Sequence, residues 1–187
     1  MSIESWVDLT CHPSRLCPAV CALRVLLRRS SDSGLRMTFR VDGDIPRIRV
    51  ARRNAASFDR ELWRHTCFEA FIALEGRPAY HEFNFAPSGE WTVYAFRRYR
   101  DRARLQDDLM RPQLSLCSTD SRLEVETFVP LDALSLLHPR ASLRIGLSAI
   151  IETREGLSYW ALRHPADKPD FHHADGFAIL LAPPGSQ

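Results

Sequence analysis

The chain has 187 residues, is 45% hydrophobic and carries a formal net charge of +2. That is about the size of one domain, with enough apolar material for a core that needs no disulfide or metal. A charge so nearly balanced excludes a general polyanion binder, which requires a concentrated basic field.

The N-terminus carries no basic segment followed by an uninterrupted apolar run, and no stretch approaches the length of a membrane span. The expectation is a single domain over residues 1–187, cytoplasmic, with neither membrane nor nucleic acid as partner. Its five cysteines are then expected to be reduced. The arginine clusters at 28–29, 52–53 and 97–104 read as solvated strand ends and loops.

In chain order, residues 1–17 form an irregular lead-in. Ala19–Arg29 and Leu35–Val41 read as two strands of a hairpin, separated by a turn at Ser30–Gly34. Ile45–Val50 suggests a short third strand after Gly43, and Ala51–Glu61 a loop. Three runs between Leu62 and Arg100 then alternate with period two: Thr66–Leu74, Tyr80–Phe85 and Glu90–Arg97. They are broken at Glu75–Pro78 and Pro87–Gly89, which predicts a β-meander.

Residues 98–111 read as a loop or a short helical turn. Gln113–Cys117 and Leu123–Val129 predict a further hairpin, and Pro130–Leu137 has the spacing of one short helix with Pro at its start. Ser142–Glu152, Leu157–Leu162 and Phe177–Leu181 complete the strands, with a loop at Arg163–Gly176. Some ten short strands and one weak helix predict an all-β fold, an antiparallel β-sandwich of immunoglobulin or jelly-roll type, with the short helix near 130–137.

Strand phasing isolates a polar set. Phe68, Ala70, Ile72 and Leu74 share one face of their strand; Cys67, Glu69, Phe71 and Ala73 share the other. Glu82 and Asn84 fall on one face with Tyr80, opposite His81, Phe83 and Phe85. An acid among buried positions must find a partner. Glu69, Glu82 and Asn84 could therefore line one side of a sheet as hydrogen-bonding groups. Trp63, Trp91, Tyr94 and Trp160 could supply flat apolar faces for a hydroxyl-rich ligand. The alternative is that the aromatics are core and the acids pair with arginines.

The loop at 163–176 crowds His164, Asp167, Asp170, His172, His173 and Asp175 together. Imidazoles and carboxylates can hold a divalent ion, but this spacing matches no defined metal motif; the loop reads first as turn chemistry and next as a ligand-contacting loop. Cys11, His12, Cys17 and Cys21 lack a second Cys-x-x-Cys partner, and Cys67 reads as a small buried hydrophobe. No nucleophile elbow, phosphate loop or His-Glu-x-x-His is present.

Three blocks of residues resemble a known group. They are Leu62-Trp63 with Thr66–Phe71; Tyr80–Gly89 with Trp91 and Tyr94; and Trp160–Leu162 with His164-Pro165, Lys168–His172 and Phe177. Together these resemble the DOMON-like group, which is related to the family-nine carbohydrate-binding modules. The resemblance spans nearly the whole chain, from His12-Pro13 to Leu181. It implies a β-sandwich that binds sugars or, in other branches, haem, and it implies no enzyme activity by itself. Trp63, Glu69, Tyr80, Glu82 and Pro87 fit the motif positions. The Asp common before the Glu strand is replaced around Thr66-Cys67, and Met37 and Met110 match no axial pair for haem.

The expectation is thus a non-catalytic module for a small, carbohydrate-like ligand, bound through Trp63, Glu69, Glu82, Asn84, Trp91 and Tyr94. Trp160, His164, Asp170 and His172 would complete the site, with the late loop as a lid or rim. No cofactor is expected, although haem or a divalent ion stays open, and the oligomeric state is undetermined. The other readings are a haem or redox-cofactor module, a hydrolytic enzyme using Glu69 and Glu82, and a protein-interaction module.

Overall fold

The computed structural model describes residues 6–30, 32–50, 61–105, 110–165 and 167–183. The fold is an all-β antiparallel sandwich of two sheets. The smaller sheet contains β1 (Trp6–Asp8), β3 (Val20–Arg29), β4 (Gly34–Gly43), β9 (Gln113–Ser118) and β10 (Arg122–Pro130), in the order β1-β3-β4-β10-β9. The larger contains β2 (Thr10–Cys11), β5 (Cys67–Leu74), β6 (Tyr80–Phe85), β7 (Trp91–Arg98), β8 (Asp101–Ala103), β11 (Leu143–Thr153) and β12 (Gly156–Ala161). Its order is β2-β12-β11-β5-β6-β7-β8, and β13 (Ile179–Leu181) adds to β11.

The sheets close on each other because alternate residues of the long strands are apolar. Val25, Leu27, Met37, Phe39 and Val41 of the smaller sheet meet Phe68, Ile72, Phe83, Phe85 and Ile145 of the larger in one buried cluster. Phe39 and Phe68 touch across the sandwich, ring centres 5.2 Å apart. Burial of side chains this large is the main favourable term, about 1.5–3 kcal/mol each.

The meander lies at the middle of the larger sheet. β5 pairs with β11 on one side and β6 on the other; Glu69 stands opposite Ser148 and Asn84, and Phe71 opposite Gly146 and Glu82. The β6–β7 turn needs Gly89, whose φ is +88°, a conformation other residues adopt only with strain. Cys67 to Ala73 are all buried, so β5 is covered on its outer face as well as its inner one. Phe71, Tyr80, Phe96 and Phe177 form that second, smaller cluster, with Phe171 of the late loop packed against it. Gly146 makes room for it: a Cβ there would sit 2.8 Å from the Phe177 ring.

Three expectations change. Ile45–Val50 forms no strand: Ile45–Arg47 is a single 3-10 turn with Pro at its start, since proline fixes φ and lacks a ladder donor. Residues 101–103 pair as β8 instead of forming a helical turn. Residues 131–141 are a run of turns and not a helix. Leu131 is buried, but Leu136 is 86% exposed, so the apolar spacing does not serve one helical face. The Ser135 hydroxyl bonds His138 Nδ1 and accepts from the Leu137 N–H, which competes with helical bonding. The loop expected over 51–61 lies outside the described residues except for Glu61. No helix among the described residues is long and apolar enough to cross a membrane.

Candidate functional site

A cleft of about 700 Å³ opens on the outer face of the larger sheet. Its position follows from the strand phasing. Glu69 on β5, Glu82 on β6 and Phe96 on β7 point away from the core, as do Ile150 on β11 and Leu157 and Tyr159 on β12. The late loop walls one side with Pro169, Phe171 and His172. The 3-10 turn Leu62–Arg64 sets Trp63 and Arg64 at the mouth, and Arg100 and Arg102 complete the rim.

The floor is acidic and nearly dry. Glu69 is 3% exposed and Glu82 is 5% exposed. The Ser148 hydroxyl donates to Glu69 Oε2 at 3.1 Å, and Asn84 Nδ2 donates to Glu82 Oε1 at 2.7 Å. Asn84 is itself fully buried and accepts from the Cys67 thiol at 3.5 Å. Among the described residues, the one basic side chain within ion-pair range of either acid is His172, whose Nε2 lies 3.6 Å from Glu82 Oε2. Burial, reinforced by the Glu82 charge, pushes the Glu69 carboxyl well above the usual range. Burial also raises Glu82, against the Asn84 hydrogen bond and the Arg102 and Arg100 charges, which lower it. Burial thus shifts both carboxyls toward the protonated form.

The late loop is clasped to the sheet by Asp170 and His172. Asp170 accepts from the Tyr99 hydroxyl at 2.7 Å and from Arg100 at 2.8 Å. It also accepts the His172 N–H at 3.2 Å. Burial would raise its carboxyl, but Tyr99 and Arg100 outweigh that and hold it below the ordinary value. Arg100 has φ of +52°, an uncommon backbone for a residue with a side chain. Its N–H donates to the Tyr80 hydroxyl at 3.2 Å. The Tyr80 hydroxyl in turn meets His172 Nδ1 at 2.8 Å, which leaves Nε2 to face Glu82. Burial, with Arg100 adding to it, lowers the His172 pKa to about 4, so the ring is neutral at pH 7. Tyr80 is pushed up to about 12, chiefly by burial.

Of the ten residues selected from the sequence, Trp63, Glu69, Glu82 and His172 line the cleft. Asn84 and Asp170 hold lining residues from behind. Tyr94 is on the outer face opposite Glu82, with the Arg102 guanidinium 4.3 Å from its ring centre. Trp91, Trp160 and His164 are placed elsewhere. Trp91 is paired with core-facing Phe85 and packs against the inter-sheet cluster. Trp160 is buried in that same cluster, its Nε1 donating to the Ser158 hydroxyl. His164 bonds the Thr10 carbonyl oxygen at 2.7 Å and meets His12 edge-on.

Sequence reasoning missed Tyr159, Leu157, Ile150, Phe96, Phe171, Arg100 and Arg102. Alternation puts Tyr159 and Trp160 on opposite faces of their strand, but does not say which of the two faces outward. The arginine run at 97–104 reads as solvated strand ends and loops, but Arg100 is bound in the clasp. The thiol at Cys67 is pushed up strongly, first by burial and then by the Glu69 charge, which suppresses nucleophilic character. The histidines near it in the chain or on the adjacent strand have other partners: His65 pairs with Glu152, and His81 meets His138 edge-on on the other side of β6. Among the described residues no three potential metal ligands cluster. His173 and Asp175 bond each other in local turn chemistry.

No protein-family model matches the chain, and no curated protein matches it by sequence. Solved structures do match. One is a "putative carbohydrate-binding protein" from Bacteroides uniformis, at 12% identity and a TM-score of 0.58, covering 91% of this chain and 82% of the other. Another is a family 9 carbohydrate-binding module from Caldicellulosiruptor kristjanssonii in complex with cellotriose. It is 9% identical with a TM-score of 0.56, covering 85% of this chain and 72% of the other. At such identities the likeness is one of fold: the chain shares the β-sandwich architecture of these proteins over most of its length.

Proposed function

We propose that the protein is a non-catalytic carbohydrate-binding module that seats a saccharide in the cleft on the outer face of the larger sheet. The observation that carries this reading is the composition of the cleft. A polar floor of Glu69 and Glu82, held by Ser148 and Asn84, lies beneath apolar walls of Trp63, Tyr159, Phe96 and Phe171. Sugar rings present C–H faces to aromatic plates and hydroxyls to acceptors at their edges. A volume of about 700 Å³ is in the range that encloses a small organic ligand. The names of the two structural neighbours and the resemblance to DOMON-like and family-nine sequences agree with it.

Calorimetric titration of the whole chain with cellotriose and a panel of other short oligosaccharides tests this. At least one should bind, and Trp63→Ala or Tyr159→Ala should weaken it about tenfold, roughly 1.4 kcal/mol. Absence of binding across the panel, or binding indifferent to both substitutions, would sink the reading.

A further inference from the structure

The acids on the cleft floor and the cations on its rim do not balance. Arg64 is paired with Glu61 at 2.5 Å, and Arg100 with Asp170 at 2.8 Å. That leaves Glu69 and Glu82 against Arg102, which lies over the Tyr94 ring. The remaining titratable neighbours carry no charge at neutral pH: His172 is lowered to about 4, Tyr80 is raised to about 12, and the Cys67 thiol is raised by burial. Glu152, on the same face of β11, is already held by Arg49 and His65. With both floor carboxylates ionised, the described residues around the cleft are one positive charge short.

Two carboxyl oxygens mark where that charge belongs. Glu69 Oε2 and Glu82 Oε1 are taken by Ser148 and Asn84. Glu69 Oε1 accepts no hydrogen bond from the described residues, and Glu82 Oε2 has only His172 at 3.6 Å, beyond hydrogen-bond reach. The residues holding them are buried, so the deficit lies at the bottom of the cleft and away from water. Burial raises both carboxyls, the direction in which a proton offsets the deficit. A ligand cation would settle it better, since charge-assisted bonds to carboxylate are the strong ones. Nearby aromatic faces at Tyr159, Phe96 and Phe171 also favour a cation over a neutral group.

We propose that the cleft selects a saccharide bearing a protonated amine, an amino sugar, with its ammonium on the Glu69–Glu82 pair. This rests on the carbohydrate reading above and names the ligand class for the same site. An ammonium there favours the ionised form of both acids, so binding is linked to proton exchange. N-acetylation removes the charge and with it the preference.

The test is calorimetry on the whole chain at neutral pH, in two buffers of different ionisation enthalpy. The ligands are a glucosamine trisaccharide, its fully N-acetylated form, cellotriose and cyclohexylamine. The amino trisaccharide should bind at least about tenfold more tightly than either neutral trisaccharide, roughly 1.4 kcal/mol, with a buffer-dependent heat that reports linked proton exchange. Glu82→Gln should remove that preference, bringing the amino trisaccharide to within about twofold of cellotriose on the same variant. If cellotriose binds as tightly as the amino trisaccharide to the native chain, the amine site is refuted and the carbohydrate reading stands. If cyclohexylamine binds and no trisaccharide does, the carbohydrate reading fails and only the cation site survives. If nothing binds, both fall.

Discussion

The two faces of the meander strands use the same alternation for opposite ends. On the inner face, Phe68, Ala70, Ile72, Phe83 and Phe85 are at or near zero exposure and meet the other sheet, with His81 the polar side chain beside them, edge-on to His138. On the outer face Cys67, Glu69, Glu82 and Asn84 are buried almost as deeply, yet they are polar and only partly satisfied. The inner face is explained by packing alone. The outer one costs stability, because burying a carboxyl without a cation is unfavourable, so its composition calls for a reason other than folding. Burial by itself does not separate core from site; the chemistry of what is buried does.

The strongest way to break this contrast is to damage each face in turn. Phe68→Ala should cost about 3–5 kcal/mol in urea unfolding, with little effect on ligand affinity in whatever fraction remains folded. Phe177→Ala on the outer cluster should cost less, about 2–3 kcal/mol, because the late loop can settle into the space. Equal costs with equal loss of binding would erase the distinction between the faces.

The pH dependence sharpens it further. His138 and His172 are both lowered to about 4 from 6.5, mainly by burial. The unfolded chain therefore takes up their protons first, and stability is lost as pH falls from about 6.5 to 4, on the order of 2 kcal/mol per ring. Glu69 and Glu82 act with the opposite sign. Their folded values are raised, so stability falls as pH rises above about 4.5 through the folded pair's titration. Denaturant curves from pH 4 to 9 should show His138→Gln flattening the acid side and Glu69→Gln flattening the alkaline side. A Glu69→Gln chain that lost stability more steeply with rising pH than the native one would contradict the assignment.

A smaller effect is expected at the clasp. Asp170→Asn removes an ion pair that is open to solvent on the Arg100 side, which is worth about 1 kcal/mol or less. Hydrogen exchange of the amides between 167 and 176 should quicken while β5 and β11 stay protected. His164→Ala should change ligand affinity least, by less than about twofold, because that ring bonds Thr10 at the sheet edge.

The sandwich and the meander phasing were legible because period-two alternation reports faces directly. Tyr80–Phe85 forms the strand the pattern predicts, residue for residue, and Glu69 and Glu82 stood out as residues a plain core would not hold. What was not legible depends on which face is which across separate strands. Trp160 and Tyr159 take opposite faces of β12, yet only the pairing of β12 with β11 shows that Trp160 is the one beside core-facing Ala149. The contributions of Arg100 and Arg102 depend on a left-handed turn and a three-residue strand that no periodicity announces. The helical spacing at 130–137 misled because local hydroxyl and imidazole bonds replace the helical ones.

The central claim is that the outer face of the larger sheet is where a ligand binds. Backbone amide shift mapping by NMR during titration with a bound oligosaccharide tests it most directly. The account predicts shifts concentrated at Glu69, Glu82, Phe96, Arg102, Leu157–Tyr159 and Phe171–His172. Shifts confined to the outer face of the smaller sheet, on β4, β9 and β10, would contradict it.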